Sequence, residues 1–128
     1  MRLGRTALFI LLQTSVVELR FHRRLEKPGF KDYRRMLCTN DRTLLLSTPG
    51  KTILNYVSPN GFLKYDPAAK NLVPAWDIFL QNYRMINCDD VEVIAIIKST
   101  PDPMPFWRYF NERLVHMSAT QKAQFMNT

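Results

Sequence analysis

The chain has 128 residues, of which 46% are hydrophobic and 12% aromatic, and 18 Lys or Arg against 11 Asp or Glu leave a net charge of +7. The length bounds it to one domain, or one small domain with extensions, and the apolar content excludes a wholly disordered chain. The charge is unevenly placed. Residues 1–35 hold nine bases against three acids, and residues 36–128 hold nine against eight. A nearly neutral body thus carries a basic arm, which suits a dense polyanion such as nucleic acid or an anionic membrane.

Met1 to Val17 contains two arginines and no acid, the composition of a mitochondrial targeting segment. A secretory signal is the rival reading, but no small-residue cleavage site follows. The apolar run is interrupted by Gln13, Thr14 and Ser15, so it falls short of the ~20 apolar residues of a membrane span. Leu8, Leu11, Leu12, Val16 and Leu19 recur at helical spacing and predict a helix over Thr6 to Leu19. Arg20 to Arg35 then interleaves basic and aromatic residues around a Pro28–Gly29 turn. Guanidinium groups grip phosphates while rings stack on bases, so Arg20, His22, Arg23, Arg24, Lys27, Lys31, Arg34 and Arg35 form the expected RNA-contacting set.

Thr43 to Lys64 reads as a three-stranded meander. Its strands are Leu44–Leu46, the alternating stretch Thr52–Val57, and Phe62–Tyr65, with turns at Pro49–Gly50 and at Pro59–Gly61. Pro74 to Met85 reads as the best helix, because Trp76, Phe79, Leu80 and Tyr83 make one apolar stripe. Val91 to Ile97 is a strand apolar enough to be central in a sheet. Asp102 and Pro103 can open a helix reaching about Met117, and Ser118 to Gln121 is a capping-box pattern before a short last helix to Met126.

The candidate chemistry is sparse. His22 reads as a solvent-facing or RNA-contacting ring, and His116 as an imidazole near a helix end. Asp89–Asp90 reads as a turn. Gly50–Lys51–Thr52 matches the tail of a phosphate-binding loop, but Leu45 stands where its first glycine belongs. Phe106–Trp107–Arg108–Tyr109–Phe110 reads as packing against protein. Cys38 and Cys88 lack metal-ligand spacing and read as two reduced thiols. No nucleophile–base–orienter set is visible, so the expectation is no enzyme, no metal and no cofactor.

The stretch RTLLLSTPGKTILNYVSPN, followed by LKYDPAAKNLV, resembles the bacterial-type large-subunit ribosomal protein thirty-three family across Arg42 to Val73. Some members of that family bind zinc through two cysteine pairs. Here Asp66 and Ala69 occupy the second pair's place, so the resemblance is to the cysteine-free branch and implies no metal. The resemblance further implies that Lys51, Asn55, Tyr56, Lys64 and Tyr65 lie near ribosomal RNA.

The expected fold is therefore α+β. A basic N-terminal arm with a short helix spans 1–41, a small three-stranded antiparallel sheet spans 42–73, and a helix–strand–helix C-terminal extension spans 74–128. The expected function is a structural component of the mitochondrial ribosome in the matrix, in its large subunit. It would bind ribosomal RNA through the arm and neighbouring ribosomal proteins through the C-terminal helices, with no membrane contact. The alternative is an accessory subunit of a mitochondrial inner-membrane complex.

Overall fold

The computed structural model describes residues 1–22, 33–58, 67–114 and 117–120. It is α+β, and its sheet has five antiparallel strands rather than three. Helix α1 (Arg5–Leu12) leads into β1 (Ser15–His22), which pairs with β2 (Tyr33–Thr39). Two short helices follow, α2 (Arg42–Leu45) and α3 (Thr48–Thr52), then the hairpin β3 (Leu72–Asp77) and β4 (Asn82–Asn87). Strand β5 (Val91–Lys98) returns to pair with β1, and α4 (Met104–Tyr109) runs into a π-turn at Phe110–Leu114. The strand order is β4-β3-β2-β1-β5.

The segment read as an arm thus supplies the inner strands β1 and β2. Helix α1 stops at Leu12, short of the expected Leu19, and the chain turns through Gln13 and Thr14. Val16 and Val17 are β-branched, so a strand holds them with less loss of side-chain freedom than a helix does. Val17, Leu19 and Phe21 then alternate onto the face that α1 covers. There they join Leu8, Leu12, Met36, Cys38, Val73, Ala75 and Ile86 in one core cluster. Val16, Leu37, Leu44, Leu45, Leu54, Trp76 and Phe106 form a second cluster on the opposite face.

The expected strand Leu44–Leu46 is helical because Asp41 reaches over it. Asp41 Oδ1 accepts the N–H groups of Thr43 and Leu44, an N-cap that starts a helical turn. Ser47 caps α3 in the same way, accepting the Gly50 N–H at 3.1 Å. Thr52–Val57 joins no strand of the sheet, and Phe62–Tyr65 lies outside the described residues.

The helix expected over Pro74–Met85 is a hairpin. Asp77 Oδ1 accepts the N–H of Phe79 and of Leu80 at 3.0 Å each, and Gln81 has φ of 59°, so the chain reverses there. Trp76 and Tyr83, spaced as on a helix, meet instead as a cross-strand pair with ring centroids 5.3 Å apart. Strand β3 also runs across the boundary expected after residue 73. Strand β5 forms where expected but at the edge, since only its first half is well buried. Asp102 accepts the Met104 N–H at 3.0 Å at the start of α4. The last expected helix falls outside the described residues.

Asp41 joins the start of α2 to the segment that follows β5. Its Oδ2 accepts from Ser99 Oγ at 2.6 Å and Thr100 Oγ1 at 2.5 Å, and its side chain is almost wholly buried. Asp41→Ala removes a cap worth about 1 kcal/mol and two hydrogen bonds to a charged group worth about 1.5–3 kcal/mol each. The expected loss of stability in urea melts is at least about 3 kcal/mol, and a loss below about 1 would show that the cap and the Ser99–Thr100 tether are dispensable.

Candidate functional site

Strand alternation sorts the basic residues of the first half onto two faces. Arg34 lies on the α1 side, where its Nη2 is 3.3 Å from Asp77 Oδ2 with both side chains buried. Glu18, Arg20 and His22 on β1, Tyr33 and Arg35 on β2, and Glu92 on β5 share the other face. Arg35 donates Nε and Nη2 to Glu18 Oε1 at 2.9 and 2.5 Å, and Glu18 is 2% exposed. Arg20, directly opposite Glu92, holds its Oε1 at 3.0 Å, and the Arg20 guanidinium carbon sits 5.7 Å from the Tyr33 ring centroid. His22 Nδ1 lies 2.7 Å from Asp90 Oδ2, while the other oxygen of Asp90 pairs with Arg2.

These side chains enclose two adjoining hollows. One of about 220 Å³ is lined by Arg2, Arg20, Phe21, His22, Tyr33, Asp90 and Glu92. The other, of about 270 Å³, is lined by Arg20, Tyr33, Arg35, Glu92 and Ile94. Arg20, Tyr33 and Glu92 belong to both. A bulge shapes the second hollow. The β1–β5 register shifts between Glu18 and Leu19, which pair with Ala95 and Val93, leaving Ile94 as the extra residue. A bulge re-aims the side chain it inserts, and here Ile94 turns into the hollow beside Glu92.

The cleft is open to solvent. The His22 and Arg20 side chains are 58% and 47% exposed. The two cysteines sit in the core. Burial pushes the Cys88 thiol up to about 11, against a smaller opposing pull from Arg5. Burial, aided by Asp77, also raises Cys38 well above the usual thiol range. Among the described residues no group of His, Cys, Asp and Glu gathers to hold a metal ion.

The residues expected to touch RNA scatter. Arg20 and His22 meet in the cleft. Arg34 and Arg35 are taken by the buried carboxylates of Asp77 and Glu18, which would be costly to bury without a cation. Tyr56 is core, with its hydroxyl 2.6 Å from that of Tyr83 and its ring edge-on to Trp76. Burial, together with that hydroxyl contact, raises the Tyr83 phenol above its usual range. Asn55 holds a turn at φ 54°, and Lys51 is exposed on α3, away from the cleft residues in the sequence and on a different element. Arg23, Arg24, Lys27, Lys31, Lys64, Tyr65 and His116 lie outside the described residues. Tyr33, Glu92, Asp90 and Arg2 were not in the expected set. The signal that could have found this face is the period-2 alternation from Val17 to His22, which the helical reading to Leu19 passed over.

No family model matches the chain, no curated protein matches it, and no solved structure matches it.

Burial pushes the Asp77 carboxyl above its usual range, outweighing the Leu80 N–H, Arg34 and the Phe79 N–H, which all pull it down. Arg34→Ala takes away one of those opposing pulls and is expected to cost about 3–5 kcal/mol at neutral pH, since it leaves a buried carboxylate unpaired. A raised native pKa means the native state holds the proton where the unfolded chain has lost it. The variant's stability therefore falls as pH rises from about 4, near the unfolded Asp value, toward 7. Urea melts across that range should show the gap to wild type widening with pH, and a constant gap would count against an unpaired Asp77 as the cause.

Proposed function

We propose that this protein is a small, non-enzymatic RNA-binding component that takes single-stranded RNA at the β1–β2 end of its sheet. The observation that carries the reading is the position of the cleft. His22 ends β1 and Tyr33 begins β2, and the ten residues that join them hold Arg23, Arg24, Lys27 and Lys31 against Glu26 and Asp32. The cleft thus lies at the root of a strongly basic stretch, in a chain whose net charge of +7 attracts phosphate from a distance. Planar groups, the exposed His22 and Arg20 and the half-buried Tyr33, stand beside it. Basic tracks with stacking rings are the recurrent means of holding a single strand.

The mitochondrial ribosome, and its large subunit in particular, is the narrower form of this proposal. It rests on the resemblance of Arg42 to Val73 and on the acid-poor start. The helices at Arg42–Leu45 and Thr48–Thr52 remove the strand pattern that had agreed with that resemblance. The geometry favours the broader class. For the inner-membrane alternative no specific observation speaks, and among the described residues no helix is long and apolar enough to cross a membrane.

Four phosphate contacts to a single strand give a slope of roughly −3 for log affinity against log salt, so binding of a labelled RNA single strand should weaken roughly 50-fold between about 50 and 200 mM salt. Replacing Arg23 and Arg24 together by alanine should flatten the slope by about 1.4. Fluorescence anisotropy reads both, and an affinity indifferent to salt would sink the RNA reading.

A further inference from the structure

We infer that the Arg20–Tyr33 pair is a stacking platform for one unpaired nucleobase, and that the cleft around it takes a base rather than a phosphate. This rests on the RNA reading above and names the part of the strand that the cleft holds.

Charge makes the first part of the case. Each guanidinium lining the two hollows has a carboxylate of its own: Arg2 has Asp90, Arg20 has Glu92 and Arg35 has Glu18. A phosphate entering here meets Asp90 and Glu92 as well as the arginines, and the like charges oppose it. A neutral ligand with donors and acceptors along its rim meets a lining that offers both. A nucleobase edge has that character.

Geometry makes the second part. The Arg20 guanidinium rests against the Tyr33 ring at 5.7 Å and is held from the side by Glu92 at 3.0 Å. Arg20, Tyr33 and Glu92 are shared by both hollows, so the cation–ring pair stands as a partition with space on each side. Guanidinium planes and tyrosine rings are both surfaces on which unpaired bases stack. Ile94, turned in by the bulge, adds an apolar wall on one side.

The pair is also held in place before any ligand arrives. Arg20 and Glu92 are cross-strand partners on β1 and β5, and His22 and Tyr33 are partners on β1 and β2. Three hydrogen-bonded strands therefore set the spacing, which lowers the ordering cost of binding.

The test uses the full chain and two labelled single strands of equal length and equal phosphate number, one bearing adenines and one abasic throughout. The wild-type protein is expected to bind the base-bearing strand about tenfold more tightly. Tyr33→Ala should erase that preference, while Tyr33→Phe keeps it. Glu92→Gln, which frees Arg20 from its carboxylate, should tighten binding of the abasic strand. A 2-aminopurine placed in the base-bearing strand should lose emission on binding to wild type but not to Tyr33→Ala. Equal wild-type affinity for the two strands, with both salt-dependent, overturns the stacking site and leaves the RNA reading standing. Failure to bind either strand overturns both. The wild-type comparison needs no variant, so it decides the matter even if Tyr33→Ala does not fold.

Discussion

A carboxylate buried in an inner strand must have a cation, and the partnership of Glu18 with Arg35 decides much of what the rest of this molecule can do. Glu18 sits on β1, which is hydrogen-bonded to a neighbour on each side, and it is 2% exposed. Desolvating it without a partner would be costly. Arg35 meets it from β2 with two N–H groups on one oxygen. The pair therefore cross-links β1 to β2 inside the sheet. It also withdraws Arg35 from any ligand. Arg34 and Asp77 repeat the pattern on the opposite face, where the pair joins β2 to β3, two strands that share only two ladder positions.

These pairs explain how a basic segment became the middle of a sheet rather than a free arm. Nine bases in thirty-five residues look like a charge that must find an external polyanion. Four of them find carboxylates inside the protein instead: Arg2 with Asp90, Arg20 with Glu92, Arg34 with Asp77 and Arg35 with Glu18. The pairs are not equal. Arg2 with Asp90 lies in solvent and contributes at most about 1 kcal/mol. The two pairs that bury a carboxylate are structural. Net charge is untouched by pairing, because each pair removes one base and one acid, so the long-range attraction of the chain for phosphate survives while its short-range contacts are redistributed.

The α+β class, the strand Val91–Ile97 and the start of α4 were legible in the amino-acid order; much of the remainder was not, and the reasons are local. Trp76, Phe79, Leu80 and Tyr83 satisfy a helical period, yet Asp77 sits among them and binds two backbone N–H groups, which closes a turn. Leu44–Leu45–Leu46 satisfies a buried strand as well as a helix, and the side chain that decides is Asp41, just before it. Short apolar runs are ambiguous in this way, and one polar side chain at the boundary settles them. The cleft was hidden for a further reason. Its carboxylates Glu92 and Asp90 come from β5 and the turn before it, about seventy to ninety positions from Arg20 and Arg2, and no local pattern announces a partner at that distance.

The division of labour among the basic residues follows from the same geometry. Alternation along β1 and β2 sends Arg34 inward to one core and turns Arg20, Arg35 and Tyr33 to the other face. On that face, depth grades the arginines. Arg35 reaches a buried carboxylate and is held fast, whereas Arg20 meets Glu92 at the rim, where water screens the pair and exchange is cheap. A rim arginine lying against a ring can trade or share its partner without unfolding anything. A core arginine cannot. The bulge at Ile94 breaks the alternation of β5 and turns an apolar side chain into the hollow beside Glu92. On the RNA reading proposed above, positive charge alone would draw the strand near without selecting any part of it. The charge-balanced, ring-bearing cleft at the root of the basic stretch would then supply the selection that net charge cannot.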